Sequence, residues 1–109
     1  MDAFEFSKQA IASCANHSFI HEIEIQLIDE PVAKIKAIID GDTFINIFYN
    51  AETSKYSFAL IRGNKRIFGA DNARSWHTHP FESPDSHIES SEMSLSDFLN
   101  VPASNRDKW

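Results

Sequence analysis

The chain has 109 residues, 42% of them hydrophobic and 24% charged, and 16 acidic against 10 basic residues leave a formal net charge of −6. That length and balance describe one folded domain, residues 1–109, with a modest core. A single cysteine excludes an internal disulfide framework, no apolar run reaches the ~18 residues of a membrane span, and the acidic total opposes coating of duplex DNA.

Asp2 is placed to cap a helix from Ala3 to about Ala15, with Ala3, Phe6, Ala10 and Cys14 on one apolar stripe and Phe4 and Ile11 beside it. Asp2 and Glu5 give this stretch the wrong sign for a targeting peptide, so a cytoplasmic protein is expected. From Ser18 to Ile28 the period changes to two, setting Phe19, His21, Ile23, Ile25 and Leu27 against Ile20, Glu22, Glu24 and Gln26. Asp29-Glu30-Pro31 turns the chain, and Ala33, Ile35, Ala37 and Ile39 form the next inward row opposite Lys34 and Lys36.

Asp40-Gly41-Asp42 signals a hairpin into Thr43–Tyr49, which is apolar on both faces as a covered strand would be. After a loop at 50–54, Tyr56, Phe58 and Leu60 alternate with Ser57 and Ala59, and Arg62-Gly63-Asn64-Lys65 turns the chain into Arg66–Ala70. Five strands joined by short links make an antiparallel meander, because a parallel pair needs a long crossover. The expected fold is α+β: an N-terminal helix packed on a curved meander of about five strands, a histidine-rich loop, and a short C-terminal helix. Ser94 and Asp97 form a capping-box pattern for that helix, with Leu95, Phe98 and Leu99 inward. Pro102 is expected to end it and residues 103–109 to be a loose tail.

Charge is unevenly distributed. Residues 1–54 carry −6, residues 55–79 carry +4 from Lys55, Arg62, Lys65, Arg66 and Arg74 against Asp71, and residues 80–109 carry −4. The basic middle adjoins His77-Thr78-His79, where an extended backbone projects both imidazoles from one face. Pro80 favours that extended conformation for His79. His87 offers a third nitrogen, and three nitrogens with an open position suit Zn²⁺ or another divalent metal. Without metal, the same histidines with Asp71 can move protons while Arg62, Lys65, Arg66 or Arg74 stabilises phosphorane-like charge, as in a small ribonuclease. Trp76 is a candidate to stack on a nucleobase, although an anchoring role in the core competes.

Arg74–Phe81 is similar to the HxHP element of zinc isopeptidases, but position 87 is His and position 90 is Ser where that family carries Ser and Asp. A longer resemblance runs through Phe44–Asn50, Tyr56–Ile61, Arg66–Ala73, His77-x-His79-Pro80, His87 and Glu89–Leu95, covering roughly residues 43–99. In this order the segments resemble the TumE family of small toxins, with Asp71-Asn72-Ala73 before the histidines as the most specific piece. The resemblance implies the toxin half of a toxin–antitoxin pair, partnered by a small helix-turn-helix antitoxin. RNA is the expected target of its histidine and basic site. The alternatives are a small histidine-ligated metallohydrolase and a non-enzymatic binding or homo-oligomeric module.

Overall fold

The apolar stripe near the N-terminus forms α1 (Ala3–Ala15), which buries Ala3, Phe6, Ala10 and Cys14. Its free N–H groups are met twice: Glu5 N donates to Asp2 Oδ1 at 2.7 Å, and Ala3 N and Phe4 N donate to the Glu30 carboxylate at 2.8 and 3.0 Å. Two carboxylates at one helix N-terminus complement its dipole and tie the helix to the first turn of the sheet. The computed structural model describes residues 1–109.

Seven antiparallel strands follow in strict chain order: β1 (Glu22–Asp29), β2 (Val32–Ile38), β3 (Thr43–Asn50), β4 (Lys55–Arg62), β5 (Lys65–Asp71), β6 (His77–His79) and β7 (Ile88–Glu89). α2 (Leu95–Ser104) and a single 3₁₀ turn, Arg106–Lys108, complete the chain. The class is α+β and the sheet an open meander, as the residue pattern implies. Two strands exceed the expected five, because the histidine-rich segment is a hairpin edge rather than a loop.

The strands alternate cleanly. Ala33, Ile35 and Ala37 of β2, Ile45, Ile47 and Tyr49 of β3, Phe58 and Leu60 of β4, and Phe68 and Ala70 of β5 are all buried on the helix side. α2 adds Leu95, Phe98 and Leu99, and Phe98 sits between Phe58 and Phe68 at ring separations of 5.5 and 5.1 Å. Each large side chain buried this way contributes ~2–3 kcal/mol by loss of apolar surface from water. The opposite face carries no helix.

Four expectations are corrected. The first strand starts at Glu22, not Ser18, because Ile20 N turns back to the His17 carbonyl at 3.1 Å. A bulge between Ile25 and Leu27 then reverses the facing, so Leu27 pairs with Lys34 on the helix-free side while Ile28 pairs with Ala33. Residues 103–109 are not loose. Pro102 lies buried in the last turn of α2, where one missing N–H is tolerable, and Trp109 Nε1 donates to its carbonyl at 2.9 Å. The Trp109 ring packs edge-on to Phe19 at 5.5 Å, the Arg106 guanidinium lies 4.1 Å above it, and Arg62 donates to the Trp109 backbone oxygen. No helix is long and apolar enough to cross a membrane.

Candidate metal centre

β6 pairs with β5 so that His77 stands opposite Asp71 and His79 opposite Gly69. Because Phe68 and Ala70 point to the core, Gly69 and Asp71 point to the helix-free face, and the two histidines join them there. The alternation that keeps the β5 core apolar thus places a carboxylate and two imidazoles side by side. Pro80 ends β6, and the return segment brings His87 back just before β7.

The return segment also covers the pair. Arg66 Nη2 and His79 Nδ1 both reach the Pro84 carbonyl, at 3.2 and 3.1 Å. Phe81 stacks on Phe68 at 4.9 Å, and Lys108 pairs with Glu82 at 2.7 Å. His77 and His79 are therefore only 8% and 2% exposed, whereas His87 stays at the surface.

The hydrogen bonds decide the tautomers. His77 Nδ1 lies 3.1 Å from the Ser75 carbonyl and His79 Nδ1 3.1 Å from the Pro84 carbonyl. A carbonyl only accepts, so each Nδ1 carries the proton, and in the neutral ring each Nε2 presents a bare lone pair. Both Nε2 atoms lie beside Asp71: His77 Nε2 is 3.2 Å from Oδ1 and His79 Nε2 3.4 Å from Oδ2. The carboxylate is itself held by the Ala73 N–H at 3.0 Å. His77 Nε2 is buried without a hydrogen-bond partner, since its approach to Asp71 has ion-pair distance but not hydrogen-bond direction.

A neutral imidazole nitrogen against a carboxylate oxygen is acceptor against acceptor, which needs a cation between them. A proton is one answer; at His79, burial, then the Arg66 charge, then His87 hold the pKa below its ordinary value despite the Asp71 contact. A divalent metal is the other. The ligand nitrogens of His77, His79 and His87 lie within 4.8 Å of one another, and the three rings sit 4.6–5.0 Å apart. Tetrahedral Zn²⁺ with ~2.0–2.1 Å bonds asks for nitrogens roughly 3.4 Å apart, so the three imidazoles would close by up to ~1.4 Å to hold it. The Nδ1–H contacts to backbone carbonyls are the outer-shell bonds that orient metal-ligating histidines.

Of the expected site residues, His77, His79, His87 and Asp71 converge, and Arg66 stands beside them. Arg74 is exposed in the β5–β6 turn at φ 69°. Arg62 and Lys65 face each other at the far end of β5, with Arg62 engaged by Trp109. Trp76 points the other way: it packs near Tyr56 at 5.9 Å and lines a cavity with Phe6, Met93 and Leu95 on the helix side. Its anchoring role is the one seen, because strand alternation sets positions 76 and 78 opposite 77 and 79. The carbonyls of Ser75 and Pro84 and the side-chain-free Gly69 were not evident from residue type. Only the extended His-x-His-Pro spacing hinted at them.

Searches of protein-family models, curated proteins and solved structures return no match to the chain.

Proposed function

We propose that this protein is a metal-dependent phosphodiester hydrolase in which His77, His79 and His87 hold a divalent transition-metal ion, Zn²⁺ by donor set. The observation that carries the reading is the pair of Nδ1–H bonds to backbone carbonyls, which set both Nε2 atoms beside Asp71 and leave that of His77 buried and unpaired. An ion held by these three histidines would supply Lewis-acid chemistry, lowering the pKa of water toward neutrality. Asp71 would take a proton from water as its oxygen attacks phosphorus, and would return that proton to the leaving oxygen as the P–O bond to it breaks. Arg66, fixed by Pro84 beside His79, supplies the positive charge that favours an anionic substrate over a neutral amide.

A toxin role beside a helix-turn-helix antitoxin rests on the resemblance to the TumE family, and RNA as the target rests on the histidines beside a basic side chain. Together they make this a toxin whose activity requires metal. Calorimetric titration of chelator-treated protein with Zn²⁺ should give about one ion per chain, and none for His77→Ala with His79→Ala. Cleavage of end-labelled RNA should return only when metal is restored. Equal metal uptake by the double variant removes the assignment. Expression without the antitoxin should slow growth, and the double variant should relieve it.

A further inference from the structure

The helix-free face of the sheet extends the metal centre into a track. Two rungs of paired residues cross it: His79, Gly69, Ala59, Asn46, Lys36, and His77, Asp71, Ser57, Phe48, Lys34. Four strand spacings of ~4.8 Å make each rung roughly 19 Å long. The middle of the track is floored by Ala59 and Ser57, and the Arg66 side chain lies across the buried Gly69 beside the histidines. A concavity of about 310 Å³ opens there, between Gln26, Lys34, Asn46, Phe48, Ser57 and Ala59.

The far end interleaves cations with aromatic rings. Lys34 pairs with Phe48 across the strands, and Lys36 Nζ lies 4.0 Å from the centre of the Phe44 ring. Arg66 supplies the cation at the histidine end, and Glu24, paired with Lys36, bounds the track at β1. Bases at one end, an aromatic face beside them and a narrow trough between suit a single strand with splayed nucleobases. They do not suit a duplex, whose two backbones would meet the acidic rest of a chain carrying −6.

We infer that single-stranded RNA lies across this face, with a base on Phe48, phosphates at Lys34 and Lys36, and the scissile phosphate at the histidines. The cleavage end rests on the hydrolase reading, and the docking track does not.

The test is fluorescence anisotropy of a fluorescein-labelled single-stranded RNA oligomer, run in EDTA so that docking is read without metal. Lys34→Glu with Lys36→Glu should weaken binding about tenfold or more near ~0.1 M salt, and reduce the log–log salt slope by roughly 1.4, at ~0.7 per lost phosphate contact. Phe48→Ala should weaken it about fivefold or more. Lys8→Glu, on the outer surface of α1, should change nothing. If the double reversal lowers the melting temperature, Lys34→Ala with Lys36→Ala takes its place with the same expected direction.

His77→Ala with His79→Ala should keep the anisotropy signal while losing cleavage, which separates failure of the track from failure of the metal centre. Four results overturn the inference: no binding by the unaltered protein, equal loss in Lys8→Glu and the double reversal, equal affinity for duplex RNA, or insensitivity to Phe48→Ala with competition by an acidic peptide. The last would assign the basic end to a protein partner.

Discussion

Asp71→Asn separates the two faces of the centre, because its effects without and with metal have opposite signs. Without metal, Asp71 sets acceptor oxygens 3.2 and 3.4 Å from two imidazole nitrogens. An asparagine that keeps its oxygen on the Ala73 N–H turns an amide N–H toward His79 Nε2, exchanging a repulsive contact for a hydrogen bond worth about 1 kcal/mol net. With ~2.1 cal/mol/K of unfolding entropy per residue, 109 residues convert 1 kcal/mol into ~4 °C, so the melting temperature in EDTA should rise by about 4 °C.

Metal acts through linkage. At a free concentration of 100 Kd it adds ~2.7 kcal/mol to the unaltered protein, or ~12 °C. Loss of a charged group beside a metal ligand lowers affinity ~10–100-fold, so at the same concentration the variant gains only ~2–6 °C. Differential scanning calorimetry in EDTA and in Zn²⁺ measures both increments on one preparation. A variant that melts lower in EDTA yet keeps the full metal increment would refute the acceptor–acceptor reasoning and remove Asp71 from the centre.

Gly69→Ala places a Cβ 3.0 Å from Arg66 Cδ and 3.3 Å from the Phe58 carbonyl, and backbone cannot yield as a side chain can. It should cost ~1–3 kcal/mol in thermal denaturation and raise KM more than it lowers kcat, as Arg66 is pushed aside. Cys14, with its thiol pushed up to about 11 by burial, should resist a thiol-reactive disulfide reagent in the native protein and react fully in urea. Because its folded pKa lies above the unfolded value of 9.0, its contribution is intact below pH 9 and declines as the pH rises toward 11, which denaturant titration at alkaline pH reads directly. Trp109→Ala removes the contacts to Phe19, Arg106 and the Pro102 carbonyl, and should lower stability by about 1–2 kcal/mol by the same measurement.

How much of this was written in residue order varies by element. α1, β2 and β4 follow from period alone, since Ala33, Ile35 and Ala37 or Phe58 and Leu60 have one apolar side to hide. β3 reads as covered on both faces and in fact leaves Phe44, Asn46 and Phe48 on the helix-free side. The capping box at Ser94 and Asp97 forms with both its bonds, because it is made by residues three apart. Long-range contacts were less visible. Nothing local says that Glu30 caps α1, that a bulge turns Leu27 to the other face, or that Trp109 returns to Phe19. The three histidines stood out by type and spacing. Their tautomers did not, because these depend on carbonyls of Ser75 and Pro84 that any residue could supply. Arg62, Lys65 and Arg66 share one end of the β4–β5 hairpin, and only the Arg66 side chain reaches back over Gly69 to the Pro84 carbonyl beside the histidines.

The order of strands, in which every neighbour in the sheet is a neighbour in the chain, sets when each part can form. During synthesis the growing sheet adds one hairpin at a time, and each new strand finds its partner already exposed at the edge. The strands bearing His77 and His79 and the segment bearing His87 come after all five long strands. A chain interrupted before them carries the five long strands and none of the three clustered histidines.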